Sequence, residues 1–174
     1  MNLPKEENWQ KIIEGLPLFA QKDGLYLAAE SAPDSYTNVN YYSDHPMVLG
    51  AFGLLPETVP VDKLVMGDTF NYISENWNWP RTWGWDYPMA AICAVRLGKP
   101  EQAVDLLLKD VQKNTYLLNG HNYQNDMLRL YLPGNGGLLW AVAAMCAGFE
   151  NDKRLNPGFP ADWTVRWENL KPSF

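Results

Sequence analysis

The stretch PMVLGAFGLL (46–55) has no polar side, and two more of its kind follow it in the chain. YPMAAICAVRLG (87–98) and GGLLWAVAAMCAG (136–148) are almost as apolar around the helical circumference, whereas the segments between them have two faces. In 61–77, Leu64, Val65, Tyr72 and Ile73 recur at helical spacing against Asp62, Lys63, Asp68 and Glu75. In 101–113, Ala103, Leu106, Leu107 and Val111 oppose Glu101, Asp105 and Lys109. A helix apolar all round is surrounded by protein, and an amphipathic one lies outside. Apolar helix, short turn, amphipathic helix, twice over, predicts an inner ring clothed by an outer one. The expected fold is therefore all-α, an α/α-hairpin toroid. A simple bundle fits less well, because each of its helices would show one apolar face. DGLYLAAE (23–30) and DWTVRWENL (162–170) read as short β-strand decorations.

The ends of the pattern are unpaired. Residues 5–16 are amphipathic through Trp9, Ile12, Ile13 and Leu16, an outer helix with no inner partner before it. The third apolar helix has no outer partner after it. With 174 residues there is room for one domain. The expectation is a single partial domain over 1–174: lead-in helix, strand and loop at 1–45, hairpins at 46–148, and a C-terminal extension at 149–174. A half-toroid would leave apolar surface uncovered, which predicts self-association or a missing upstream half-barrel.

Charge narrows the partners. The net charge is −6 and no Lys/Arg cluster stands out, whereas nucleic acid and anionic membrane both require a concentrated positive field. No apolar run is long enough to span a bilayer. Cys93 and Cys146 sit in Ala-rich apolar runs and read as buried thiols; no Cys/His spacing predicts a metal site, and no motif predicts a cofactor. MNLPKEENWQ lacks the basic and apolar regions of a signal peptide. As written, the chain is expected in the cytoplasm, or in the periplasm or outside if an upstream segment carries a signal.

The loops divide by length. Those after the apolar helices, PETVP and GKP, are short, and those before them are long and rich in Asn, Asp, His, Tyr and Trp. The three long loops are 30–46, 77–86 and 119–135, and in the predicted toroid all three open on one face. Scaffolds gather function on such loops. The second, WNWPRTWGWD, carries Trp77, Trp79, Trp83 and Trp85 within nine residues, followed at once by Asp86. Indole rings suit the C–H faces of a pyranose and also pack cores. Asp86 opens an apolar helix, where capping and the helix dipole favour a carboxylate whether or not it does chemistry. Glu30 opens the first loop; Asp44 and His45 close it; His121, Asn122 and Asn135 belong to the third. LPGNGG (132–137) has the glycines of an anion-cradling loop, without the Lys-Ser/Thr of a P-loop. Close packing at a helix entry accounts for it better.

Taken as an ordered set, SDHPMVLGAFGLLP, NWNWPRTWGWDYPMAA, AICAVRLGKPEQAVDLLL, KNTYLLNGHNYQ and LRLYLPGNGGLLWAVAAM resemble the C-terminal half of bacterial six-hairpin glycosidases. The likeness is to glycoside hydrolases of the family 65, maltose-phosphorylase-like type, and more distantly to α-L-fucosidases of the family 95 type. It covers about residues 25–148. It implies half of an (α/α)6 barrel with the active site at the N-terminal ends of the inner helices. His45 matches a family histidine, and Trp85 a family Gly-Trp. The fucosidase base aspartate precedes a Gly-Asn pair; here Gly134 and Asn135 match, but Pro133 stands at the aspartate position. The family's general acid lies upstream of the matched half.

These readings predict a carbohydrate-active chain, the C-terminal part of an inverting glycoside hydrolase. Asp86 and Glu30 are the nominated catalytic carboxylates. Trp83, Trp85, Asp44, His45, His121, Asn122 and Asn135 are the nominated sugar contacts. The alternative is a non-catalytic sugar-binding or structural module, favoured by the substituted and absent family positions. Phosphorolysis would need an anion site lined by cations, and only Arg81 and Arg129 are near the right loops.

Overall fold

The computed structural model describes residues 6–56 and 60–173. Its core is built on one helix, α5 (Asp86–Leu97), in which every residue from Asp86 to Arg96 is buried. α3 (Gly50–Gly53), α4 (Lys63–Asn76), α6 (Pro100–Leu107) and α7 (Leu132–Ala147) all pack against it. α5 stops at Gly98, whose φ of 76° is the left-handed conformation glycine adopts without strain. Pro100 then begins α6, where a missing N–H costs nothing.

α4 starts at Asp62, whose carboxylate accepts from the Leu64 and Val65 N–H groups at 2.8 and 3.3 Å. Its buried stripe is Met66, Thr69, Phe70 and Ile73. This corrects the expected stripe, since Leu64 is 81% exposed. Thr69 is a polar residue in the apolar row because its hydroxyl receives the Tyr26 N–H and donates to the Val65 carbonyl. That bond docks the small hairpin of β1 (Gln21–Lys22) and β2 (Leu25–Tyr26), turned by Asp23 and Gly24 at positive φ.

The expected all-α toroid does not form. Among the described residues, helix accounts for 44%, accompanied by two short antiparallel strand pairs. The first apolar segment, 46–55, makes only a 3-10 turn at Met47–Leu49 and the single α turn of α3. Its glycines show why it is apolar without being a long helix: a Cβ on Gly53 would lie 3.1 Å from the Cys93 backbone nitrogen. The segment is built for close approach to α5. The third apolar helix, α7, buries Ala141, Ala144, Met145 and Cys146 but exposes Leu132, Leu139 and Val142. Being apolar on every side did not make it an inner helix. α1 (Glu7–Glu14) has no buried residue, and Trp9, Ile12, Ile13 and Leu16 face outward.

Residues 162–170 form no strand and run as irregular chain. The C-terminal segment is held where the Ser173 N–H donates to the Gly148 carbonyl and the Glu150 N–H to the Ser173 carbonyl. Both cysteines are free and buried, and burial pushes the Cys93 thiol far up. Among the described residues no helix is long and apolar enough to cross a membrane. Lys5 and the middle of the turn PETVP (57–59) lie outside the described residues.

Candidate functional site

The tryptophan-rich loop splits its rings between two tasks. Trp77 and Trp79 are buried and use their indole N–H groups on the Asp44 and Ser74 carbonyls, at 2.8 and 3.1 Å. Trp83 and Trp85 remain half-exposed. The first pair fixes the loop and the second lines what the loop presents. Thr82 Oγ1 also lies 3.0 Å from the same Asp44 carbonyl, and the Asn78 N–H donates to the Tyr42 carbonyl at 3.0 Å. Loop 42–46 and loop 77–85 are thereby locked together, which sets His45 against the first residue of α5.

That residue is Asp86, completely buried. Its carboxylate accepts from the Trp83 N–H at 2.8 Å and from the Thr82 hydroxyl. His45 Nδ1 lies 2.9 and 3.1 Å from its two oxygens. The positive end of the α5 dipole favours the charge at this position. Trp85 Nε1 also stands 2.9 Å from His45 Nδ1. One nitrogen cannot donate to a carboxylate and accept from an indole at once. A buried carboxylate needs donors, so Nδ1–H belongs to Asp86 and the indole lies beside it.

The consequence is directional. With Nδ1 committed inward, Nε2 is the imidazole's outward atom, on a side chain 31% exposed. The Asp44 carboxylate, open to solvent, is 3.8 Å from it. The hydrogen bond that His45 donates to Asp86 raises the His45 pKa above 6.5; burial and Lys113 oppose that, while the charges of Asp86 and Asp44 add to it. We expect an NMR titration to place the His45 midpoint above 6.5 and Asp86→Asn to lower it. A raised folded pKa means the proton-linked stability is complete below about pH 6.5 and fades as pH rises through the folded midpoint. The destabilisation caused by His45→Gln is accordingly expected to be larger at about pH 5.5 than at about pH 9. Equal losses at both would disconnect the proton from the fold.

Around this pair stands an aromatic wall. Trp83 lies 6.0 Å from His45 and 5.7 Å from Tyr131, ring to ring, with tilts of 32° and 33°. Burial, then the Asp86 charge, raises the Tyr131 phenol, which keeps it a neutral donor. Lys113 Nζ sits 4.7 Å from the Trp83 ring centroid.

The wall rests on a buried amide network. Gln124, fully buried, accepts from the Gly84 N–H at 3.0 Å and donates to the Lys113 carbonyl and to Asn122 Oδ1 at 3.0 and 2.7 Å. Asn122 donates to the Lys113 and Thr115 carbonyls, and its N–H is accepted by Asn135 Oδ1 at 3.0 Å. This ties the hairpin of β3 (Thr115–Tyr116) and β4 (Asn122–Tyr123) to the tryptophan loop and to the start of α7.

The nominated residues thus separate into three groups. Asp44, His45, Trp83, Trp85 and Asp86 converge. Asn122 and Asn135 are near but spend their amides on the scaffold, and the His121 carbonyl closes the hairpin by accepting the Leu117 N–H at 3.0 Å. Glu30 does not join them; it lines a separate apolar groove of about 560 Å3 with Leu16, Leu18 and Phe19. LPGNGG is the first turns of α7, where Gly134 packs on Asn122 and Gly137 on Pro88. Sequence reasoning missed Thr82, Lys113, Gln124 and Tyr131. None carries a local signal, because each matters only through a partner distant in the chain.

No family model, no curated protein and no solved structure matches this chain. The likeness to six-hairpin glycosidases rests on the motifs of the sequence.

Proposed function

We propose that this chain carries a carbohydrate site in which His45, oriented by Asp86, exchanges a proton with the bound sugar or its attacking water. The observation that carries the reading is the Asp86–His45 pair: a fully buried carboxylate on Nδ1 of a partly exposed imidazole, set among partly exposed Trp83, Trp85 and Tyr131. A positioned histidine suits general acid–base work. Flat rings with polar edges suit a pyranose. In this arrangement Asp86 holds the imidazole and stabilises its charged form, and Asp44 lies on the solvent side. Glycoside inversion needs an acid and a base on opposite sides of the bond, with carboxyls about 6.5–9.5 Å apart. His45 Nε2 and Asp44 are 3.8 Å apart, so together they furnish one of those two roles.

The second reading, a binding module without turnover, draws on the same fact: Glu30, the nominated second carboxylate, lies on another groove. Calorimetric titration with mono- and oligosaccharides, beside an aryl-glycoside screen, separates the two. We expect a sugar to bind and Trp83→Ala to weaken it about tenfold, roughly 1.4 kcal/mol. Binding with hydrolysis abolished by His45→Gln supports catalysis; binding without hydrolysis supports the module; no binding by any sugar ends the carbohydrate reading.

A further inference from the structure

Two cations stand at the rim of the site with no acid to pair them. Lys113 Nζ, 4.7 Å from the centre of the Trp83 ring, spends one hydrogen bond on the Arg81 carbonyl, 2.9 Å away. That bond ties it to the main chain of a second, exposed cationic residue, whose charge acts on the Lys113 ammonium. Burial lowers the Lys113 pKa, and repulsion from Arg81 adds to the effect while the Asp86 and Asp44 charges oppose it. Among the described residues neither Lys113 nor Arg81 forms an ion pair, although His45, Arg129 and Arg154 do. Acids are not scarce in this chain, which has 20 of them against 14 cations. The nearest ones are committed: Asp86 to Thr82, Trp83 and His45, and Asp44 to the far nitrogen of His45.

We infer that the saccharide taken by this site is acidic, its carboxylate received by Lys113 and Arg81 while its ring lies against Trp83. The inference rests on the carbohydrate reading and sharpens it to a substrate class, uronates. A uronate carboxylate is attached directly to the pyranose ring. A ring placed beside the indole therefore brings its carboxylate within reach of a cation a few ångströms from that indole. Arg81 supplies a planar fork for the two oxygens, and Lys113 a point charge that fixes the side from which they approach. The Arg81 charge repels the Lys113 ammonium, and a bound carboxylate offsets that repulsion.

The test is calorimetry on the full chain with a glucuronate- or galacturonate-containing disaccharide and with its neutral counterpart, in which the carboxylate is reduced to a hydroxymethyl group. The acidic sugar is expected to bind about tenfold or more tightly than the neutral one, with the advantage shrinking as salt rises from about 50 to about 500 mM. Lys113→Met and Arg81→Gln are each expected to reduce that advantage by about threefold or more. Equal affinity for the two sugars, or an advantage that survives both substitutions, overturns the inference and leaves the carbohydrate reading standing. Inorganic phosphate binding as tightly as the uronate, and lost in the same variants, overturns it too by assigning the cations to a free anion. Failure of both sugars to bind overturns both readings together.

Discussion

Gly84→Ala is expected to destabilise the protein by about 3 kcal/mol or more, or to prevent folding altogether. A Cβ at this position would lie 2.0 Å from Asn122 Oδ1, 2.4 Å from Gln124 Nε2 and 2.8 Å from the Lys113 carbonyl oxygen. The side chains it would strike cannot move aside cheaply. Asn122 and Gln124 are fully buried, and their amides are bonded to each other and to the Lys113 carbonyl. Shifting either leaves buried polar groups unsatisfied, at about 1–3 kcal/mol each. Urea unfolding of the variant measures the loss. Gly67 is the control: nothing lies within 4 Å of a Cβ built there. Gly67→Ala, inside α4, is expected to be neutral or stabilising by up to about 1 kcal/mol. Equal stability of the two variants would show that the network under Trp83 yields to pressure and does not hold the site rigidly.

The second large effect is expected at Asp86. Asp86→Leu removes the acceptor of the Trp83 N–H and the Thr82 hydroxyl and leaves His45 without its partner. The stranded Trp83 N–H costs about 1–3 kcal/mol, while the Thr82 hydroxyl can turn to the Asp44 carbonyl. Asp86→Asn retains an acceptor oxygen and is expected to cost clearly less. Because it removes the charge that orients and stabilises the imidazolium, it is still expected to lower any glycoside turnover by about 100-fold or more. Thermal unfolding of both variants, paired with the sugar titrations, distinguishes the two roles. Were Asp86→Asn as damaging to the fold as Asp86→Leu, charge would be needed for folding itself. Were it to leave turnover unchanged, Asp86 would serve only to shape the start of α5.

The sequence alone located α4 and α5, and the start of α6, whose expected run to Lys113 ends instead at Leu107. Glu101 and Asp105 oppose Ala103 and Leu106, and Pro100 and Gly98 mark the boundaries. Such signals lie within one or two helical turns and act through local geometry. The Trp83–Asp86 cluster was also legible, because a carboxylate behind two indoles at a helix start is uncommon chemistry in a short span. Hydrophobicity around a helix was the weaker guide. It treats every apolar surface as covered, yet burial is decided by which elements arrive. In α3 it reported close approach to Cys93, and in α7 it overstated burial by a whole face, with Leu139 73% exposed. The toroid built on that rule did not survive.

What only the tertiary structure decided is which polar residues share a site. His45 and Asp86 are 41 residues apart, and Gly84 and Gln124 are 40 apart. No periodicity links such positions, since the contact depends on how two loops are pinned by the Asp44 and Lys113 carbonyls. The same pinning gave Asn122 and Asn135 to the scaffold and Lys113 to the rim, although as residue types any of the three could have met a ligand. Residue chemistry set what each side chain is able to do. The packing of loops on α5 determined which of them face outward to do it.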